Sequence, residues 1–413
     1  MGASLLRTAG AVLFLGLATL GANGCDSSSD GTPAPGATGG FKHQAFYEQL
    51  QAEAEHFTER NGEWVEDYGD APFYGLAFYS WEGTARQDAA WLSRSARARD
   101  YALTVVDKPS LLTDDVNEIA MSALGLTDYI AATGDGTPLP ALDAVIDQID
   151  GTVKSFGYYI ELDLGWAFTT YGATSISGLV GLMNLQYAAV LDNERAAERV
   201  AFAQLQLAEI EKKAFNGSFY RFDSSQEKLY LYPNVTMILY HARLFQLTGE
   251  ERHRERAVAL YQAVQPLRVE MGQGRVRYRS PYSAEYMHAQ TEDYATLSSQ
   301  NYLLFSLMLL HQITGEQAYL TEADAELEAL SQELFKPWCL GDLKQRVDAC
   351  QAPCDSTETC VVDSCQPNSC ARGVLHHWMD GRLAEPQDEE FFCTGCNLQL
   401  LYLMWYRQNR ILQ

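Results

Sequence analysis

Three stretches of this chain, Ala173–Ala189, Val235–Phe245 and Ala295–Leu310, are apolar on nearly every side at helical spacing. A helix of that kind must be buried by neighbours on all sides. Three others, Glu194–Lys213, Glu250–Gln262 and Leu320–Phe335, are amphipathic and charged. The two kinds alternate along the chain. Each amphipathic helix can cover an apolar one and turn its charged side to water, so the pattern predicts stacked helical hairpins. The turns rhyme as well: Thr133-Gly134-Asp135, Leu191-Asp192-Asn193, Thr248-Gly249-Glu250 and Thr314-Gly315-Glu316. Their spacing is roughly sixty residues, two helices plus loops, which marks a repeat architecture.

Periodicity and Gly/Pro punctuation predict helices over Phe41–Asn61, Thr84–Lys108, Asp114–Thr133, Leu139–Ser155, Tyr171–Leu191, Glu194–Ala214, Pro233–Thr248, Glu250–Gln265, Gln290–Thr314, Gln317–Lys336 and Glu389–Leu412. That makes eleven, so either one is hidden or the first and last elements close together. Glu63–Gly83 and Gly157–Thr170 read as aromatic and irregular. Gly217–Tyr232 alternates around Asp223-Ser224-Ser225 as a hairpin would, and Arg275–Arg279 reads as a further strand.

The N-terminus reads as an address. A lone charge at Arg7, an apolar run over Thr8–Leu20 and the small residues Ala22-Asn23-Gly24 precede Cys25, as in an export signal. A cysteine in that place resembles a bacterial lipoprotein lipobox, which implies lipidation of Cys25. Residues 1–24 are then the signal peptide and 25–40 a flexible tether too polar and too rich in Gly, Pro and Ser to fold. The expected location is the bacterial cell envelope, with the membrane as a partner through the lipid. The globular domain, 41–413, is expected as a monomer.

Eight further cysteines fall in the last quarter: Cys339, Cys350, Cys354, Cys360, Cys365, Cys370, Cys393 and Cys396. An even number in an exported chain predicts disulfides, of open connectivity. Six lie in a polar insert, 339–372, too small to hold its shape by a core. His376, His377 and the Cys393/Cys396 pair are zinc-ligand types, but export and the even count favour disulfides. No metal or other cofactor is expected. The net charge of -24, with no basic stripe, argues against nucleic acid.

Alternating buried and outer helices joined by turns such as those at Thr248 and Thr314 resemble the six-hairpin (α/α)6 toroids. These include six-hairpin glycosidases and N-acylglucosamine-epimerase-like proteins. The resemblance implies an all-α toroid with short β-hairpins in its loops. It also implies a pocket lined by the residues at the starts of the inner helices.

Asp114 and Asp115 have the best chemical case among those residues. Glycoside hydrolysis generally needs two carboxyl groups, one donating a proton and one attacking or activating water. Adjacent aspartates at the start of an inner helix resemble the pair of the α-1,6-mannanase family, although Val116-Asn117-Glu118 follow here in place of that family's aromatics. The competing reading is structural: Asp115 with Glu118 fits a capping box, and Asp114 could cap equally well. An acid at a helix N-terminus also needs burial or a charged neighbour to stay protonated. Glu292 and Asp293 are a second candidate on the opposite rim, against a capping role for Thr291. Glu161 and Asp163 beside Trp166 are a third. Trp64, Trp81, Trp166, Tyr232, Tyr282 and Trp378 offer stacking surfaces for sugar rings, or pack loop on loop.

The expectation is an exported glycan-active enzyme, most concretely a glycoside hydrolase. The alternatives are a non-catalytic envelope lipoprotein binding glycan or protein, and an epimerase-like or zinc-dependent toroid enzyme.

Overall fold

Six helices with little charge and six with one apolar stripe stand among the described residues. The computed structural model describes residues 41–60, 63–64, 71–107, 115–160, 166–191, 194–225, 227–280, 294–339, 370–374, 377–379, 382–383 and 394–411. The apolar set is α2 (Ala71–Arg86), α4 (Asp115–Thr133), α6 (Trp166–Ala188), α8 (Leu231–Thr248), α10 (Leu297–Thr314) and α12 (Thr394–Tyr406). Between them in sequence run α1 (Gln44–Thr58), α3 (Ala89–Val106), α5 (Leu139–Ser155), α7 (Glu194–Ala214), α9 (Glu251–Ala263) and α11 (Gln317–Ala329).

The apolar helices form a closed inner ring. Each packs on the next, from α2 through α4, α6, α8 and α10 to α12, and α12 packs back on α2. The amphipathic helices form the outer layer: α3 covers α2 and α4, α7 covers α6, α9 covers α8 and α11 covers α10. The first helix, α1, lies outside the last, α12, so the chain's two ends close the ring together. The protein is an (α/α)6 toroid. No helix among the described residues is long and apolar enough to cross a membrane.

The twelfth helix is α2, inside the stretch expected to be irregular. Its sequence carries Gly75, Gly83 and five aromatic residues, a poor helix former by propensity. Packing overrides propensity here. A Cβ on Gly75 would sit 3.1 Å from Leu398 of α12, and one on Gly83 3.0 Å from the backbone of Leu92 on α3. The glycines are what lets α2 lie this close to both neighbours.

The rhyming turns have one geometry. In Thr133-Gly134-Asp135, Thr248-Gly249-Glu250 and Thr314-Gly315-Glu316 the glycine is left-handed, with φ 72°, 70° and 76°. Its N–H donates to the carbonyl four residues back, at 2.9, 2.8 and 2.7 Å. Each threonine hydroxyl donates to the carbonyl four residues back at 2.7 Å. The same hydroxyl accepts from the N–H of the acidic residue at 3.1, 3.2 and 3.1 Å. One side chain thus ends an inner helix and aims the chain into an outer one. The Leu191 copy lies partly outside the described residues.

Two glycines set the spacing of α6. A Cβ on Gly181 would fall 2.0 Å from the Tyr240 hydroxyl, so only glycine lets α8 come this close. The Tyr240 hydroxyl then reaches past α6 and donates to the Ala203 carbonyl of α7 at 2.8 Å. Gly172, at φ 81° and ψ 152°, breaks α6 near its start, and the Thr174 N–H there donates to the Phe222 carbonyl at 3.2 Å.

That contact explains a departure from expectation. Among its described residues Gly217–Tyr232 forms no two-stranded hairpin, only an isolated bridge between Phe215 and Tyr220. Asn234 takes the hydrogen bonds a partner strand would have made: its Oδ1 accepts from the Tyr220 N–H, and its Nδ2 donates to the carbonyls of Tyr220 and Tyr230. Leu231 and Tyr232 already belong to α8.

The strands are short connectors. β1 (Glu59–Arg60) pairs with β2 (Glu63–Trp64), and β3 (Arg268–Gly272) pairs antiparallel with β4 (Arg275–Tyr278), which is the strand expected at Arg275. β5 (Tyr294–Thr296) precedes α10, whose start is therefore Leu297 and not Gln290. Thr296 is its cap, accepting from the Ser299 N–H at 3.3 Å. After α11 the chain makes one π-helical turn and enters β6 (Phe335–Cys339), since Pro337 cannot continue a helix. β6 pairs antiparallel with β7 (Cys370–Val374), with Cys339 opposite Cys370, so the two ends of the insert meet. Between them, residues 340–369 lie outside the described residues. β8 (His377–Met379) joins β5 on one side and β9 (Arg382–Leu383) on the other. Cys396, buried in the first turn of α12, is disulfide-bonded.

Buried charge is concentrated between layers. Arg199 on α7 meets Asp150 on α5 at 2.9 Å, and Asn184 on α6 donates to the same carboxylate at 2.9 Å. Arg199 and Arg195 also engage Asp143 and Asp147, so five charged residues and an amide staple three helices. Glu326 on α11 is different. It is fully buried, and neither carboxyl oxygen has a hydrogen-bond partner among the described residues. Burial, helped by the charge of Glu322, holds its pKa well above the usual range.

Two outcomes are expected. Gly181→Ala should destabilise the fold by ~1–3 kcal/mol in urea denaturation, by overpacking and by displacing the Tyr240 bond. Glu326 is protonated in the folded chain over a range where the unfolded chain has ionised it. Stability is therefore lost as pH rises above the ordinary Glu range. Glu326→Gln should match the parent in thermal melts near pH 4 and melt higher near pH 8, with the gap widening as pH rises.

Candidate functional site

Consecutive inner helices are separated by an outer helix that returns the chain. All six inner helices therefore start at one rim and end at the other. The Thr-Gly-acid turns occupy the ending rim. The starting rim receives the longer connections, and loops at such a rim are where functional groups gather on a rigid scaffold.

The interior beneath the starting rim is closed by aromatic side chains. Tyr232 in the first turn of α8 packs against Tyr302 in the second turn of α10, ring centroids 4.9 Å apart. The Tyr302 hydroxyl lies 3.6 Å from the Met121 sulfur in the second turn of α4. Helices α10 and α4 face each other across the ring, so Tyr302 crosses the axis and floors whatever space lies above. Tyr232, expected as a sugar platform, is buried in this floor.

Asp115 is the first residue of α4 and so stands on the starting rim. Trp166 is the first residue of α6, on the same rim. Asp114, Glu292, Asp293 and Tyr282 lie outside the described residues, as do Glu161, Asp163 and His376. Trp64 belongs to β2.

The β5–β8–β9 sheet joins two stretches that the sequence left unconnected. Thr296 faces His377 in the backbone register, Ala295 faces Trp378 and Tyr294 faces Met379. Since β5 leads directly into α10, the His377–Met379 segment is fixed at the starting rim. Ser280 completes the corner: its N–H donates to the Tyr294 carbonyl at 2.6 Å, and its hydroxyl accepts from the Thr296 N–H at 2.9 Å.

The other end of the interior holds a carboxyl group that sequence reasoning missed. Asp128, on α4, accepts from the Trp81 indole at 3.3 Å and from the Tyr402 hydroxyl at 3.2 Å. Burial raises its pKa to about 6, against the opposing pull of those two donors and of Arg243 and Arg410. Trp81 sits in the third turn of α2 rather than in a loop. It stacks on Trp405 at 5.5 Å, and the Arg410 guanidinium lies 4.4 Å from its ring centre. Asp128 is thirteen residues beyond Asp115, ~20 Å along the helix at 1.5 Å per residue. The cluster therefore closes the ending rim and is separate from the starting rim. The sequence signal was available: the one acid beyond the first turn of an otherwise apolar inner helix.

No protein-family model and no curated protein matches the sequence. Solved structures do match in fold. A GH76 α-mannanase from Bacteroides thetaiotaomicron superposes with TM-score 0.58 at 10% identity, over 89% of this chain and 96% of that one. A sugar epimerase from a ruminal bacterium gives 0.58 at 12% identity, over 88% of this chain and 99% of that one. An unsaturated glucuronyl hydrolase specific for heparin gives 0.55 at 13% identity, over 87% and 94%. These chains share with the present one a closed ring of helical hairpins, and the protein has the six-hairpin glycosidase-like toroid fold.

Proposed function

We propose that this protein is an exported, lipid-anchored glycan-active enzyme, a glycoside hydrolase with Asp114 and Asp115 as its carboxyl pair. The observation that carries the reading is that Asp115 opens an inner helix at the rim where the connecting chains gather. One carboxyl group would donate a proton to the leaving oxygen and the other would attack or activate water. The β5–β8 register, which brings the His377–Met379 strand to the start of α10, supports a second wall across the ring from α4; we assign Glu292, Asp293 and Trp378 to that wall. The fold neighbours named as a mannanase and a glucuronyl hydrolase support a polysaccharide or oligosaccharide substrate.

Lipidation of Cys25, a tether over 25–40 and disulfides among the C-terminal cysteines complete the reading as an envelope protein. The sugar epimerase among the neighbours favours a second reading, sugar isomerisation at the same rim. There His377 would be the candidate acid or base.

Purified protein should release reducing ends from mannan or from uronic-acid-containing oligosaccharides. Asp114→Asn with Asp115→Asn should cut that rate by about 10²-fold or more while the thermal melt stays within a few degrees. Hydrolysis unchanged in the double variant would refute the assignment. Isomerised monosaccharide without bond cleavage would select the second reading.

A further inference from the structure

Between the two layers of the toroid, near the Thr248-Gly249-Glu250 turn and at the far end of α8 from the starting rim, α7, α8 and α9 line a cavity of about 230 Å³. Its polar lining is Gln204 and Glu211 from α7, His241 from α8, and Arg252, His253 and Arg256 from α9. The volume is below the range usual for drug-sized ligands, which suits a small molecule rather than a glycan chain.

A chain of hydrogen bonds ends in this cavity. The Tyr220 hydroxyl donates to Glu211 Oε1 at 3.3 Å, because a carboxylate oxygen accepts. Tyr220 has one proton, so at its 3.0 Å contact with His241 Nε2 it accepts, and His241 carries its proton on Nε2. Burial keeps His241 neutral, so its Nδ1 is bare and accepts from His253 Nδ1–H at 3.1 Å. That leaves the lone pair of His253 Nε2. His253 is 3% exposed, and this nitrogen has no hydrogen-bond partner among the described residues. The nearest charged group is Glu250 Oε2, at 3.7 Å, which is already engaged by Arg252 at 2.8 Å.

Two arginines, Arg252 and Arg256, line the same cavity as that nitrogen. Arg256 is held over the Phe215 ring, 4.0 Å from its centre, with Glu211 4.0 Å away. Arg252 is largely exposed and can turn inward without disturbing the core. The planar fork of a guanidinium pairs two oxygens at once of a phosphate, sulfate or carboxylate group.

We propose that this cavity is a binding site for a small oxyanion, gripped by Arg252 and Arg256 and hydrogen-bonded to His253 Nε2. The anion favours a proton on Nε2, which would then donate to it. The charged and titratable groups facing His253 are His241 from α8, Glu211 and Tyr220 beyond it, and Glu250, Arg252 and Arg256 around α9. Against this set, the ligand adds the one negative group in direct reach of Nε2. Binding therefore takes up a proton, and affinity rises as pH falls.

The test is calorimetric titration of the full chain with inorganic sulfate, inorganic phosphate and acetate at pH 6 and pH 8, with His ring nitrogens followed by NMR. Sulfate titrates no proton in this range, so its pH dependence reports the protein. Saturable sulfate binding that is tighter at pH 6, with a shift of His253 Nε2, is expected. Arg252→Gln and Arg256→Gln should each weaken binding about tenfold or more, with unchanged melting of the exposed Arg252 variant. Phosphate and sulfate binding without acetate marks a phosphoryl-type ligand, and acetate binding marks a carboxylate. Absence of saturation by all three anions would overturn the proposal, as would equal binding by the parent and both arginine variants.

Discussion

The fold depends on one requirement: six helices with almost no polar face have to be buried on every side. Helices α8 and α10 are buried from their first residues to near their last turns, polar side chains included. A flat layer of such helices would leave edges in water. A closed ring has no edge, and an outer layer with a single apolar stripe finishes the burial. The ring closes between α12 and α2, and α1 then covers α12 from outside. The chain's first and last helices are thereby committed to each other, although more than three hundred residues separate them.

Close packing within the ring is bought with glycine. Gly181 admits Tyr240, and Gly75 and Gly83 admit the neighbours of α2. The same requirement governs polar side chains. Ser306 returns its hydroxyl to the Tyr302 carbonyl of its own helix at 2.8 Å, and Asn301 donates to the Cys396 carbonyl of α12 at 2.8 Å. These two side chains are a satisfied insertion and a tie between inner helices. Glu326 departs from that pattern, and this is why its protonation is coupled to stability.

Much of the scaffold was legible because it repeats. Thr-Gly-acid could be read as a turn from its residues alone, and all three fully described copies have the same hydrogen bonds. Helix α2 was hidden because its glycines and aromatic residues have meaning only against α12 and α3. The expected hairpin at Gly217–Tyr232 failed for a related reason. Its strand-like alternation was real, but Asn234, a residue outside the alternating segment, absorbs its backbone groups. The start of α10 was misplaced because β5 pairs with β8, some eighty residues onward, and no local pattern announces that pairing. Of the candidate site, Asp115 at the opening of an inner helix was legible from helix punctuation, whereas the approach of His377 to Thr296 was not.

The distribution of carboxyl groups along α4 bears on where chemistry can occur. Asp115 and Asp128 belong to one inner helix but stand near opposite rims. Asp128 has the raised pKa that a general acid needs, yet Trp81, Tyr402 and the two arginines already fill its surroundings. Tyr302, reaching from α10 to Met121 on α4, lies between the level of Asp115 and that of Asp128. A perturbed carboxyl group is therefore insufficient to locate the site. Asp128 is a carboxyl group already engaged within the fold, at the other end of α4 from Asp115.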